Sequence, residues 1–97
     1  MNKNEISELR LQLQLSIVAI QEKIKISEEK IIPTYLDKYN KALIALDSGN
    51  ENEIMRCLNL IENCFRGYME TSSIYEQEFL KEMSKMETLI NNLSGHP

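Results

Sequence analysis

Few side chains in this 97-residue sequence could carry out chemistry, and histidine shows this most clearly. The single histidine, His96, is the second residue from the end, in a tail, residues 94–97, that we expect to be frayed. General acid–base catalysis needs a group held within about 3 Å of its target. Without a second histidine, no Ser-His-Asp or Cys-His arrangement can form. We therefore expect no catalytic residue.

The two cysteines, Cys57 and Cys64, are seven residues apart. On one helix this spacing separates their Cα atoms by about 10.5 Å along the axis. A disulfide needs Cα atoms within about 7 Å, so the two cannot bridge while the helix persists. Their spacing also differs from that of a zinc knuckle. We interpret both as core residues, and two cysteines without an export signal favour a reducing cytoplasm.

Carboxylates are numerous, but their arrangement is not that of a metal site. Di-metal sites in helical bundles use inward-facing glutamates with a Glu-x-x-His repeat, which is absent here. Glu78 and Glu82 share a helix face, as is usual for a solvated surface. No glycine-rich loop is available to hold a phosphate. We predict no metal, no cofactor and no enzymatic activity.

The charge is distributed unevenly along the chain. Acidic residues outnumber basic ones by 15 to 11, and residues 49–97, with eight acids and four bases, hold the whole net charge of −4. A net negative chain repels phosphate backbones, so we predict no direct nucleic-acid binding. The same charge favours a protein partner with a basic surface.

Seven acidic residues are candidates for binding that partner. Four fall within thirteen positions, with only Lys81 as an opposing charge: Glu70, Glu76, Glu78 and Glu82. Either these are favourable charges near the start of a helix, or they form a patch that attracts a basic partner. Three more lie around a predicted turn and extend the negative potential: Asp47, Glu51 and Glu53.

The first segment predicts one long amphipathic helix, residues 4–31. A strand-like alternation from Leu9 to Ile17 lasts only nine residues, whereas the helical pattern lasts seven turns. Its apolar stripe consists of Ile6, Leu9, Leu13, Ile17, Ile20, Ile24 and Ile31.

A second apolar stripe lies nearly opposite the first on the same helix. It consists of Leu11, Leu15, Val18 and Ile26, and is interrupted by Glu22 and Glu29. A helix that is apolar on two sides is either central in a bundle or exposes one side to a partner. We favour the central helix. In the other interpretation, the chain forms a homodimer through Leu11, Leu15 and Val18.

Two features mark the ends of the second predicted helix, namely Pro33 at its start and a polar turn after it. Pro33 disfavours helical geometry at Ile32, so the next helix is predicted at 34–46. Residues 47–50 read as a turn in which Gly49 suits a left-handed helix end. Asn50 and Glu53 match a capping box that opens the following helix.

From Ile54 to Leu93 the apolar stripe stays in phase, which fits one helix of about 40 residues or two shorter ones. The poor helix formers at 71–73, and the capping match of Ser73 with Glu76, favour two helices, 51–70 and 73–93.

Taken together, the pattern predicts a single all-α domain over residues 1–97. We expect a helical hairpin folded into a small antiparallel bundle of three or four helices. The longest apolar run, Ile17–Ile20, is far shorter than the roughly 20 residues that span a bilayer. The first residues also lack the apolar core of a signal peptide, so we expect a cytoplasmic protein without a membrane partner.

An acidic, all-helical chain of this length, rich in Asn, Ile and Lys, resembles the helical immunity proteins of bacterial contact-dependent growth-inhibition systems. Some of those proteins neutralise nuclease toxins, including EndoU-type ribonucleases. The resemblance covers the whole chain but rests on no motif, so no functional residue is transferred. It implies tight binding to the catalytic domain of a toxin and occlusion of a basic active-site cleft.

Two other classes remain open. One is a secretion chaperone or secreted helical hairpin similar to the ESX-type pairs, which carry Trp-x-Gly at the central turn. Here that turn is Asp47-Ser48-Gly49 and the chain contains no tryptophan. The other is a structural coiled-coil module that associates with itself through Leu11, Leu15 and Val18.

Overall fold

The fold is all-α and consists of four helices in a computed structural model that describes residues 1–71 and 77–93. The helices are α1 (Lys3–Ile26), α2 (Ile31–Ser48), α3 (Glu51–Thr71) and α4 (Glu78–Asn91). The predicted fold class, a small antiparallel helical bundle, is confirmed. Within the described residues, no helix has both the length and the apolar composition needed to cross a bilayer.

Consecutive helices are neighbours around the bundle, and α4 closes the arrangement against α1. Arg10, in the first half of α1, pairs with Asp47 at the end of α2, so these two helices run antiparallel. The Arg66 Nε of α3 lies 3.3 Å from the Glu87 Oε1 of α4. In one unbroken helix these two residues would be about 31 Å apart, so the second half folds back as two helices.

The first helix is shorter than the predicted 4–31. It starts with a complete capping box, in which the Glu5 N–H donates to Asn2 Oδ1 at 2.8 Å and the Asn2 N–H donates to Glu5 Oε1 at 3.0 Å. It ends at Ile26 because Ser27 adopts an extended conformation and its Oγ accepts from the Glu29 N–H at 3.1 Å. The break therefore falls several residues before Pro33.

Pro33 lies inside the first turn of α2 instead of in front of it. The first helical N–H groups have no partner within the helix, so a residue without an N–H is tolerated there. This corrects the predicted range of 34–46, since α2 spans Ile31–Ser48. The predicted start of the fourth helix, Ser73 with its capping partner Glu76, lies outside the described residues, as does the tail 94–97.

The turn between α2 and α3 has the expected chemistry. Gly49 has a φ of 73°, the left-handed conformation that ends α2. Only half of the predicted capping box forms: Asn50 Oδ1 accepts from the Glu53 N–H at 3.1 Å, while the Glu53 carboxylate pairs with Arg56 instead. The Asn50 N–H donates to Ser48 Oγ at 3.2 Å, which supplies the partner that Glu53 does not.

All four helices contribute to one apolar core. Of the first predicted stripe of α1, four side chains are buried in it: Leu9, Leu13, Ile17 and Ile20. The other helices add, among others, Ile32, Tyr39, Leu58, Ile61, Phe79, Met83, Met86 and Ile90. The core therefore uses one face of each helix, as expected for a bundle.

Two glycines provide a matched test of the turn. Among the described residues, a Cβ at Gly49 or at Gly67 would meet no atom of another part of the chain within 4 Å, so we compare the two positions by their backbone conformations. We expect Gly49→Ala to lower the free energy of unfolding by about 1 kcal/mol, because alanine is strained at positive φ. Gly67→Ala, within α3, should raise it by about 0.5–1 kcal/mol. Urea denaturation measures both, and equal effects of the two substitutions would contradict the turn geometry.

Candidate functional site

The outer face of α1 is the clearest candidate for a functional surface. Three apolar side chains on it are about half exposed: Leu11 at 59%, Leu15 at 46% and Val18 at 56%. The interpretation of α1 as a central helix is therefore wrong. Among the described helices α1 packs against α2 and α4, and the side that carries this second stripe is exposed.

Two buried polar side chains set the rotation of α1. Gln12 Nε2 donates to the Glu82 backbone oxygen at 3.0 Å, and Ser16 Oγ donates to the same oxygen at 3.2 Å. Both residues are buried between the core stripe and the outer face. A hydrogen bond to a buried polar group is costly to leave unmade, so these two contacts resist any turning of α1 that would bury Leu11 or Leu15.

Charged residues bound the outer face at its two ends. Glu8 is exposed towards the start of α1. Towards the end, Glu22 and Lys25 form an exposed ion pair at 3.0 Å. Between Glu8 and Glu22 only apolar and uncharged polar residues occupy this side of the helix, apart from Arg10 at its margin, which pairs with Asp47. The face is thus an apolar centre with charged ends.

Beyond the ion pair, α1 ends in a shallow groove against the start of α4. Ile26 is 84% exposed there, beside Ala19 and Phe79. The Lys23 Nζ lies 5.6 Å from the centre of the Phe79 ring, a distance at which a cation is attracted to the face of an aromatic ring. The groove continues the apolar surface of α1 towards α4.

The predicted acidic residues around the α2–α3 turn are each paired within the chain. Asp47 pairs with Arg10, and Glu51 accepts from the N-terminal ammonium at 2.7 Å, which raises the pKa of that ammonium. Glu53 accepts from Arg56 Nε at 3.1 Å, and this hydrogen bond lowers the pKa of Glu53. The negative charge at this turn is therefore largely compensated.

Of the other four predicted acidic residues, two on α4 are paired with lysines of the same helix. Glu78 pairs with Lys81 at 3.3 Å, and Glu82 pairs with Lys85 at 3.0 Å. Glu70 is exposed at the end of α3, and Glu76 lies outside the described residues. Because Glu70 and Glu78 lie at the opposite end of the bundle from Asp47, Glu51 and Glu53, the structure does not gather the predicted acidic residues into one patch.

The cysteines belong to the core. Cys57 and Cys64 are both free and buried on α3, and burial raises the pKa of each thiol. A thiol that stays protonated is a poor nucleophile. Across the described residues, no three His, Cys, Asp or Glu side chains come together as metal ligands would. His96 lies outside those residues.

The tyrosine hydroxyls differ in their surroundings. Tyr68 donates to the Glu29 carboxylate at 3.1 Å, and its ring packs edge-on against Phe79. Tyr39, in contrast, is completely buried, and within the described residues its hydroxyl has no hydrogen-bond partner. Burial raises the pKa of this phenol well above its ordinary value.

Sequence reasoning missed the residues that join the helices. Gln12 and Ser16 tie α1 to α4, and Arg66 connects Glu62 of α3 with Glu87 of α4, each at 3.3 Å. The available signal was weak: Gln12 and Ser16 are polar residues four apart, next to the core stripe of an apolar helix. Their partner is a backbone oxygen, which no side-chain pattern can indicate.

A model of a family described as YeeD uncharacterised protein covers residues 3–96. No curated protein and no solved structure matches the chain.

The buried hydroxyl of Tyr39 generates a stability prediction. Tyr39→Phe removes a polar group that has no partner in the described part of the chain, so we expect the free energy of unfolding to rise by about 1 kcal/mol. Tyr68→Phe is the control, because it removes a hydroxyl bound to Glu29 and should lower that free energy by about 1 kcal/mol. Denaturant unfolding compares them, and a loss of stability in Tyr39→Phe would refute the account of its hydroxyl.

The buried thiols generate a prediction about pH. Their pKa is raised above the usual 9.0, so the folded chain holds these protons more tightly than the unfolded chain. The free energy of unfolding should therefore fall as the pH rises above about 9. Labelling by Ellman's reagent should be at least about tenfold slower in the folded protein than in urea. Rapid labelling of the folded chain at neutral pH would contradict this burial.

Proposed function

This chain belongs to the YeeD family of uncharacterised proteins, and we propose that it acts by binding another protein through the outer face of α1. In this proposal the chain performs no reaction of its own. Its role is that of an immunity protein, which binds the catalytic domain of a toxin and blocks the active site.

The observation that carries the proposal is the exposed apolar face of α1. Leu11, Leu15 and Val18 remain in contact with water although the same helix has an apolar core face. Keeping three large apolar groups exposed on one stripe is unfavourable in an isolated domain and is typical of an interaction surface. A partner that covers the stripe would recover this hydrophobic free energy.

The shape of the bundle is compatible with occlusion of an active site. Its extents are 37 × 23 × 18 Å, and one broad side is comparable with the roughly 800 Å² per partner of a standard interface. Contact through a rigid helix also loses little conformational entropy on binding. A folded bundle of this size could cover the cleft of a nuclease domain without rearrangement.

In this proposal, charge attracts the partner at long range but contributes little to the affinity of the docked complex. The acidic residues near the turn are paired with Arg10, Arg56 and the N-terminal ammonium, so they offer little free charge to a partner. The net charge of −4 still attracts a basic surface from a distance. We therefore assign steering to the net charge and affinity to the apolar face, in the cytoplasm where such a toxin would act.

The proposal is tested with tagged protein in its native host. Wild-type protein should capture a protein that contains a toxin catalytic domain, and purified chain should then inhibit that domain at a ratio of one to one. Leu15→Glu, which places a charge in the centre of the apolar face, should weaken the binding by about a hundredfold or more. Isothermal titration calorimetry and the assay of the toxin measure the two effects.

Ile44→Glu is the matched control. Ile44 is 69% exposed on α2, so it receives the same substitution at an exposed apolar position outside the α1 face. It should bind as the wild type does. Raising the salt concentration should lower the association rate constant and change the dissociation rate constant much less. Equal binding by Leu15→Glu and the wild type, or a captured toxin that stays active in the complex, would overturn the proposal.

A further inference from the structure

We propose that two copies of the chain pair through the outer face of α1, antiparallel and about a two-fold axis, and that this dimer competes with the toxin for the same face. The inference rests on the proposed function for the role of that face, but the dimer itself requires no toxin. Its occupant is a second copy, because the charges on the face are complementary to themselves.

The residues of the face follow the spacing of a helix–helix seam. Glu8, Leu11, Leu15, Val18, Glu22 and Lys25 are separated by steps of three and four in strict alternation. This spacing keeps one side of a helix against a partner helix over its whole length. Here the seam extends for about 26 Å along α1. All six residues are exposed, so a second copy can contact each of them without a change in the fold.

Antiparallel pairing brings unlike charges together. When Leu15 lies opposite Val18 of the second copy, Glu8 lies opposite Lys25 of that copy, and the two-fold axis repeats both contacts. Leu11 then packs on the aliphatic stem of Glu22 of the second copy. Parallel pairing would instead place each charged residue opposite its own equivalent, which is repulsive. Charge complementarity therefore selects the antiparallel arrangement.

The charges involved are available. Within the described residues Glu8 has no ion pair, and Lys25 is bound only to Glu22, in an exposed pair at 3.0 Å. An exposed pair of this kind contributes little to stability, so Lys25 can also donate to the Glu8 carboxylate of the second copy without an appreciable loss. The result is a three-charge cluster at each end of the apolar centre.

The size of the face makes the dimer weak. Three half-exposed apolar side chains per copy are far less than a standard interface, which buries about 800 Å² per partner. Dissociation constants of about 10 μM to about 1 mM are typical of such small contacts. A dimer of this strength yields readily to a toxin that binds more tightly, so the two states exclude each other.

The test is sedimentation equilibrium of the full chain from about 10 μM to about 1 mM, the range in which small interfaces associate. The mass should rise from the monomer value of 11.3 kDa towards twice that value. Glu8→Lys and Lys25→Glu should each weaken dimerisation by about tenfold or more, since like charges then meet twice. The double variant restores both contacts and should dimerise within about threefold of the wild type.

Controls separate this inference from the function proposed above. Circular dichroism should show the same helix content in every variant, and Ile44→Glu should dimerise as the wild type does. A chain that stays monomeric at all concentrations, or a dimer that ignores both charge reversals, overturns the dimer while leaving toxin binding through Leu15 intact. Parallel pairing predicts the same indifference to both charge reversals, because each charged residue would still face its own equivalent, so that result overturns the antiparallel geometry as well.

Discussion

The rotation of α1 about its own axis is the constraint on which the rest of this structure depends. Burial of Leu9, Leu13 and Ile20 turns one side of the helix inwards, and the hydrogen bonds of Gln12 and Ser16 to the Glu82 backbone hold it there. The opposite side is then exposed, because the neighbours of α1 among the four described helices are α2 and α4. The apolar face that we assign to binding is thus a consequence of how the core is closed.

Electrostatics in this bundle are local. Most of its ion pairs join residues three or four apart on one helix, and a few connect helices, such as Arg66 with Glu87. Exposed pairs of this kind contribute little to stability, but they cancel charge where it occurs. The net charge of −4 therefore acts as a diffuse field around the molecule and not as a defined acidic patch.

The interior is built for packing. Its cysteines are buried, and the hydroxyl of Tyr39 lies in the core without a partner among the described residues. Burial raises the pKa values of these groups. In this molecule the pKa shifts that burial causes lie in the core, whereas the centre of the proposed binding surface consists of apolar side chains that do not titrate.

Helix type, approximate number and the turn at Gly49 could be read from the sequence, because apolar spacing and the left-handed preference of glycine act over a few residues. The start of α2 at Pro33 was predicted wrongly from the local pattern, because proline interrupts the interior of a helix but is tolerated in its first turn. The local pattern also identified both apolar stripes of α1 but not which one is buried. That choice depends on how many helices surround α1 and on a backbone oxygen 66 residues away from Ser16, and both are decided only when the four helices pack together.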